Sequence, residues 1–342
     1  MSWTPDETSV QLATETAWLQ GGIITGVAYG AVLVLFAMCF ESLWVRMRTK
    51  SMRSRKSVFL LIYVSAVFSL GTILFATNSQ FIQLGFIDNR DFPGGPSAYI
   101  EEMFSIPENI ASNVTFVLAN WCADSLMLWR CMVIYKDCKL PTRAVVVGVP
   151  SLMLVGSITL GILWLTQISS PSSSPSQNAA TGVNYTTPYF ALALAVNIVV
   201  TIMIVLRLLF HRHRITKALG PGHGSHYTSI AAMIVESASL YSVFSLLFLI
   251  PFAVGSPVSN TFIQILGEVD IIASLLIIYR VLQGKAWSND TPTQGTSVNE
   301  RTSIRMRRLA PVRVNPVDQF DPPPKTMEIR VAVDVDRSEC SV

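Results

Sequence analysis

Seven long apolar stretches recur along the chain, and they constrain its fold more tightly than any motif it carries. They cover about 22–44, 58–78, 110–135, 144–168, 188–210, 229–254 and 262–283. A bilayer's hydrocarbon core takes roughly 20 apolar residues per helical crossing, so each stretch is long enough to span. A backbone N–H or C=O left unsatisfied in lipid costs several kcal/mol, which makes the spans helices rather than open strands. The expected fold is therefore all-α, a seven-helix transmembrane domain over 21–284. A short extracellular segment (1–20) precedes it and a cytoplasmic tail (285–342) follows. Composition agrees: 51% of residues are hydrophobic and 14% charged, outside the range of an ordinary soluble domain.

Charge placement orients the bundle. Residues 46–56 carry six Lys or Arg, while 136–143 and 211–217 carry three each. Such loops face the cytoplasm. The alternate connections are poor in cations: 79–109 holds Arg90 against five acids, and 169–187 and 255–261 hold no Lys or Arg. With seven spans, the amino terminus is outside and the tail inside. Residues 1–18 contain no Lys or Arg and no apolar segment, so the first span is expected to act as an uncleaved membrane signal. The multi-pass protein is assigned to the plasma membrane ahead of other endomembranes, with the bilayer as its first partner.

Asn184, in "NYT", is the candidate glycosylation acceptor on the outer side. The five cysteines (Cys39, Cys122, Cys131, Cys138, Cys340) fall in spans or on the inner side, so no extracellular disulfide is expected. The tail is polar, punctuated by proline and mixed in charge, which reads as disordered. Within it, "MEIRVAVDV" (327–335) alternates as a strand added to a partner would, though a solvated tail accounts for it more simply. Thr302 and Ser303 lie among arginines and are candidate phosphorylation sites. The basic inner loops suit anionic lipid.

Ionisable groups inside spans are costly and are functional candidates by default. Asp124 lies about 11 residues from the inner end of the third span, near the midplane at ~1.5 Å per residue. Asn113, Asn120, Asp124 and Cys131 recur at helical spacing on one face, which should point into the bundle. Asp270, in the seventh span, falls at a similar depth. Glu268 lies on another face of that helix, and Asn197 adds a polar group in the fifth span. Two acids close together suit proton or cation handling, but separate hydrogen-bonded roles holding helices together fit equally well. Arg130 points away from Asp124 and sits at the depth of Glu236 in the sixth span, so an Arg130–Glu236 ion pair is expected there.

The set "ADSLMLWRC", "NIVVTIMIVLRLL", "VESASLYS" and "IIYRVLQGKAW", in this order on the third, fifth, sixth and seventh spans, resembles a large family of seven-span membrane proteins of basidiomycete fungi. The resemblance covers roughly residues 20–287. It implies the topology and a fungal origin, and no particular ligand or reaction. In topology the chain is also similar to G-protein-coupled receptors. It lacks an acid before Arg130, an NPxxY in the seventh span and a cysteine pair outside.

Several classes are excluded. A retinal pigment needs a lysine in the seventh span, and no span contains one. A zinc hydrolase needs histidines within the helices, whereas His211, His213, His223 and His226 all lie in or beside one cytoplasmic loop. Regularly spaced span arginines, as in a voltage sensor, are missing, as is the internal repeat of many transporters. Neither metal, cofactor nor nucleic acid is expected, and no enzymatic activity. Two classes remain. A receptor-like protein would hold a small external ligand between the third, fifth, sixth and seventh helices and engage a cytoplasmic signalling protein. A proton- or cation-coupled transporter or channel would use Asp124, Asp270 and Glu268 as its path, with Asn120 and Asn197 as relays.

Overall fold

A computed structural model describes residues 7–48, 55–136, 140–170, 184–219 and 225–289. Among these the chain forms α1 (Ser9–Arg48), α2 (Arg55–Gln83), α3 (Gly95–Glu102), α4 (Pro107–Ile134), α5 (Leu140–Ile168), α6 (Thr186–Leu219), α7 (Ser225–Ala253) and α8 (Ser259–Asn289). All but the short α3 are long and apolar enough to cross a membrane. The protein is a multi-pass integral membrane protein built as a helical bundle, and each apolar stretch read from the sequence falls on one helix. One boundary moves: α1 begins at Ser9, so most of the expected extracellular segment is helix projecting beyond the apolar stretch. Thr302, Ser303, Cys138, Cys340 and the strand-like 327–335 lie outside the described residues.

Side chains place α8 within the bundle. In its most apolar window 72% of residues are buried, against 17% in α5. Leu275 and Ile278 of α8 pack with Val32 and Leu43 of α1, Val67 of α2 and Leu126 of α4. Ile277 joins Cys131, Val200 and Ile234 of α4, α6 and α7. Around it, α1 lies beside α2, α2 beside α4, α4 beside α5 and α6, and α6 beside α7. The outward surface is apolar: Val27, Ile62, Leu152 and Ile250 are 62–74% exposed, as a lipid-facing surface should be.

Close approach to α8 depends on missing side chains. A methyl group on Gly267 would lie 2.5 Å from Leu74 Cδ2 and 2.8 Å from Phe116 Cδ2, whereas one on Gly30 would meet open space. Overpacking of this kind costs about 1–3 kcal/mol. Gly267→Ala should therefore lower the thermal midpoint of the detergent-purified protein by several degrees, with Gly30→Ala unchanged. Equal midpoints would mean that α2 and α4 move away from α8 without cost.

The two ends differ in charge and construction. At the basic end the Arg46 guanidinium donates to the Leu282 carbonyl and ties α1 to α8. Arg207 lies 5.5 Å over the Tyr135 ring, whose hydroxyl donates to Met203 O at 2.8 Å. At the acidic end, α2 widens into a π-helical turn, Leu84–Asp88. The backbone N–H and side-chain Nδ2 of Asn89 both donate to Leu84 O at 3.0 Å. Gly94 (φ 93°) and Gly95 (φ 81°) then take left-handed conformations that L side chains rarely adopt. This turn swings α3 against the projecting start of α1, where Ser97 N–H donates to Glu15 Oε1 at 3.3 Å and Gln11 Nε2 to Gly94 O at 3.4 Å.

Candidate functional site

Polar groups inside the bundle fall at two levels. The upper level is a partly open cavity of about 310 Å³ at the acidic end. Its sides come from the projecting turns of α1, from α3, from Asn109 to Phe116 on α4, and from the turn joining α7 to α8. The expected cavity between α4, α6, α7 and α8 is thus present but extends towards α1 and α2, because α1 starts earlier than its apolar stretch and closes that side.

Rings of Phe116, Trp164, Phe190 and Phe248 form one wall of the cavity. Phe190 meets Phe248 at 4.6 Å, Phe116 at 5.6 Å and Trp164 at 5.6 Å between centroids, the first and last edge-on. Trp164 Nε1 donates to Thr186 Oγ1 at 3.0 Å, which fixes the indole. That bond also bears on Asn184. Its Oδ1 accepts from Thr186 N–H at 2.8 Å, and Thr186 is 1% exposed, so in the folded protein the sequon builds the start of α6.

A polar strand of contacts crosses the cavity between α1, α2 and α8. Gln264 Nε2 donates to Trp18 O at 3.2 Å and to Asn260 O at 2.9 Å, and its Oε1 accepts from Asn78 Nδ2 at 3.3 Å. Gly21 lies against the Gln264 amide with no room for a Cβ. The helix ends and connections on this side also carry Glu7, Glu15, Asp88, Asp91, Glu102 and Glu108, with Arg90 as the one described cation in these connections. On the projecting part of α1, burial pushes the Glu15 carboxyl above its ordinary pKa, against the lowering effect of the Ser97 bond. Burial likewise raises the Tyr99 phenol, helped by Glu108 and Asp88.

The lower level is the acid core. Asp124, Asp270 and Glu268 are 7%, 8% and 0% exposed, and none of them lines the cavity. Asp124 Oδ2, Asp270 Oδ2 and both Glu268 oxygens are buried without a hydrogen-bond partner. Asp124 and Asp270 are electrostatic neighbours, and both act on the phenols of Tyr189 and Tyr241. Asp270 also faces Tyr63 of α2 and Cys122 of α4. Glu268 turns elsewhere, towards Gly71 of α2, where an added methyl would lie 3.3 Å from its Oε2. The structure therefore brings Asp124 and Asp270 into one neighbourhood and sets Glu268 on the side of α1 and α2.

The remaining sequence candidates have local partners. Asn120 Nδ2 donates to the Tyr241 hydroxyl at 3.3 Å, one turn from Asp124. Asn197 Nδ2 donates to Ala238 O at 3.3 Å and Ser242 Oγ at 3.5 Å, so it joins α6 to α7. The expected Arg130–Glu236 pair does not form. Glu236 is 72% exposed and lies 3.7 Å from Arg280, because that face of α7 points outward, whereas Arg130 is half-buried with Tyr63 as its charge neighbour. Among the described residues no three His, Cys, Asp or Glu side chains gather as a metal would require.

Sequence reasoning missed Glu101, Asn78 and Asn109 of the cavity. The recurrence of Asn109, Ser112, Asn113 and Phe116 at helical spacing was a usable signal, since it extends the polar face of α4 by about one turn towards its start. Comparison with known proteins identifies no relative: no family model, curated protein or solved structure matches the chain.

Proposed function

We propose that the protein is a receptor-like sensor of a small external ligand. The acidic end faces outside, the basic end and tail face the cytoplasm, and the membrane is the plasma membrane of a basidiomycete fungus. The ligand occupies the cavity, and its occupancy alters the cytoplasmic loops and tail that engage a signalling protein. No chemistry is performed on the ligand. The observation that carries this reading is the position of the cavity. It lies at one end of the bundle, has an aromatic wall, and does not include the buried acids in its lining. A volume of about 310 Å³ is at the small end of ligand pockets.

The test is hydrogen exchange on the full-length protein in lipid nanodiscs during a small-molecule screen. A bound ligand should change exchange both at α1 and α3 and in the loops of the basic end. Binding with changes confined to the cavity would refute the receptor reading. One observation favours the transporter alternative: the unpartnered oxygens of Asp124, Asp270 and Glu268. That reading requires a substrate- or pH-driven flux in proteoliposomes, abolished by Asp124→Asn; absence of any flux with the unsubstituted protein removes it.

A further inference from the structure

We infer that the cavity takes an uncharged amphiphile, an aromatic or apolar body with one head group that both donates and accepts hydrogen bonds, of which a primary carboxamide is the best match. The inference rests on the cavity being the ligand site and names the chemical class that it takes.

The lining offers two kinds of surface. Phe104, Phe116, Trp164, Phe190, Phe248 and Phe252 contribute rings, while Asn78, Asn109, Asn113, Asn260 and Gln264 contribute amides. A side-chain amide has two N–H donors and an oxygen with two lone pairs. Bonds within the protein use only part of that capacity. Asn109 Nδ2 donates to Phe104 O at 2.6 Å, Asn113 Nδ2 to Asn109 O at 2.9 Å and Asn78 Nδ2 to Gln264 Oε1 at 3.3 Å. Each of these three asparagines thus spends one N–H and keeps a second beside its oxygen. Gln264 differs, since Nε2 donates to both Trp18 O and Asn260 O. On α4 the capacity is concentrated: Asn109 and Asn113 lie one turn apart, and Ser112, also in the lining, adds a hydroxyl that can give or take. A carboxamide answers such a surface in kind, with its N–H to an oxygen and its oxygen to an N–H.

Charged and purely apolar ligands each fit one part of the lining and leave another unmatched. The lining holds no Lys, Arg or His, so no cation receives an anionic head. Its one ionisable side chain, Glu101, already interacts within the protein. An ammonium would use the oxygens of the asparagines and leave their spare N–H groups facing another donor. Either ion would also give up water for a surface that is largely aromatic, which costs far more than moving a neutral head. A hydrocarbon would suit the rings, yet it would cover the spare N–H and C=O groups without replacing the water they bind, and an unsatisfied polar group is costly. The volume of about 310 Å³ holds on the order of ten water-sized groups, at roughly 30 Å³ each. That suits a single ring with a short arm bearing the head group.

Four probes of similar size separate the outcomes: 2-phenylacetamide, phenethylamine, phenylacetate and propylbenzene. Binding to the full-length protein in nanodiscs is followed by calorimetry and by the shift in thermal midpoint, with empty nanodiscs correcting for partition into lipid. The carboxamide should bind at least tenfold more tightly than each of the other three. Asn113→Leu, which removes an amide and keeps the volume, should weaken it about tenfold without strengthening the ions. Ser112→Ala, a milder change that serves if Asn113→Leu fails to fold, should weaken it several-fold. Equal or tighter binding of the amine or the acid overturns the neutral assignment, and equal or tighter binding of propylbenzene overturns the part given to the asparagines; both leave the receptor reading standing. Binding of none of the four, or carboxamide affinity unchanged in the folded variants, overturns the assignment too. A carboxamide that binds yet leaves exchange at the basic end unchanged upholds the site and overturns the receptor reading.

Discussion

Trp164→Ala is expected to lower the stability of the detergent-purified protein by about 3 kcal/mol or more, and to remove ligand binding in the cavity. The indole is 1% exposed, stacks on Tyr189 at 5.4 Å, meets Phe190 edge-on and donates to Thr186. Buried Trp→Ala substitutions in soluble proteins cost about 3–5 kcal/mol. In a bilayer the unfolded reference keeps apolar groups in lipid, so the loss comes chiefly from ring packing and the void left behind. Trp164→Phe separates the contributions: it keeps a ring and leaves Thr186 Oγ1 without its donor, a loss of about 1 kcal/mol. Thermal midpoints of the two variants check the order. If Trp164→Ala were no worse than Trp164→Phe, the aromatic wall would be loosely packed, and its rings could not present fixed faces to a ligand.

The reach of the sequence ended at different points for fold and site. Apolar length is local information, so every span was visible without tertiary contacts. The start of α1 was not, because residues 9–21 are too polar to read as a span; their helix is held by contacts with α3 and α8, including Thr261 Oγ1 to Ala17 O at 2.9 Å. Rotational reading of α4 placed Asn120, Asp124 and Cys131 inside correctly, since 3.6 residues per turn fixes which side chains share a face. It could not say which neighbouring helix each face meets. Glu236 and Arg130 matched in depth but not in azimuth, and the pair that forms joins Glu236 to Arg280 on the adjacent helix. The cavity was the least legible part. Its polar groups come singly from several helix ends, and a lone asparagine near a span's end carries no distinguishing pattern in sequence.

Replacing either core aspartate by alanine is expected to stabilise the bundle. Truncating a well-packed core side chain costs stability, but Asp124 Oδ2 and Asp270 Oδ2 are buried without partners, and an unsatisfied buried polar group costs about 1–3 kcal/mol. Removing it should raise the thermal midpoint, against the usual direction of core truncation. Because the two carboxyls lie in each other's field, removing one relieves the other, and the gains should not add. A double-mutant cycle should show Asp124→Ala with Asp270→Ala gaining less than the sum of the single variants. Additive gains would mean that the two groups are independent. Asn120→Ala should instead destabilise, since it leaves the Tyr241 hydroxyl, 3% exposed, without its amide donor. Ionisable groups inside a span are costly and are functional candidates by default. A variant that gains stability and retains both its ligand response and any flux would therefore show that these carboxyls only fill the bundle.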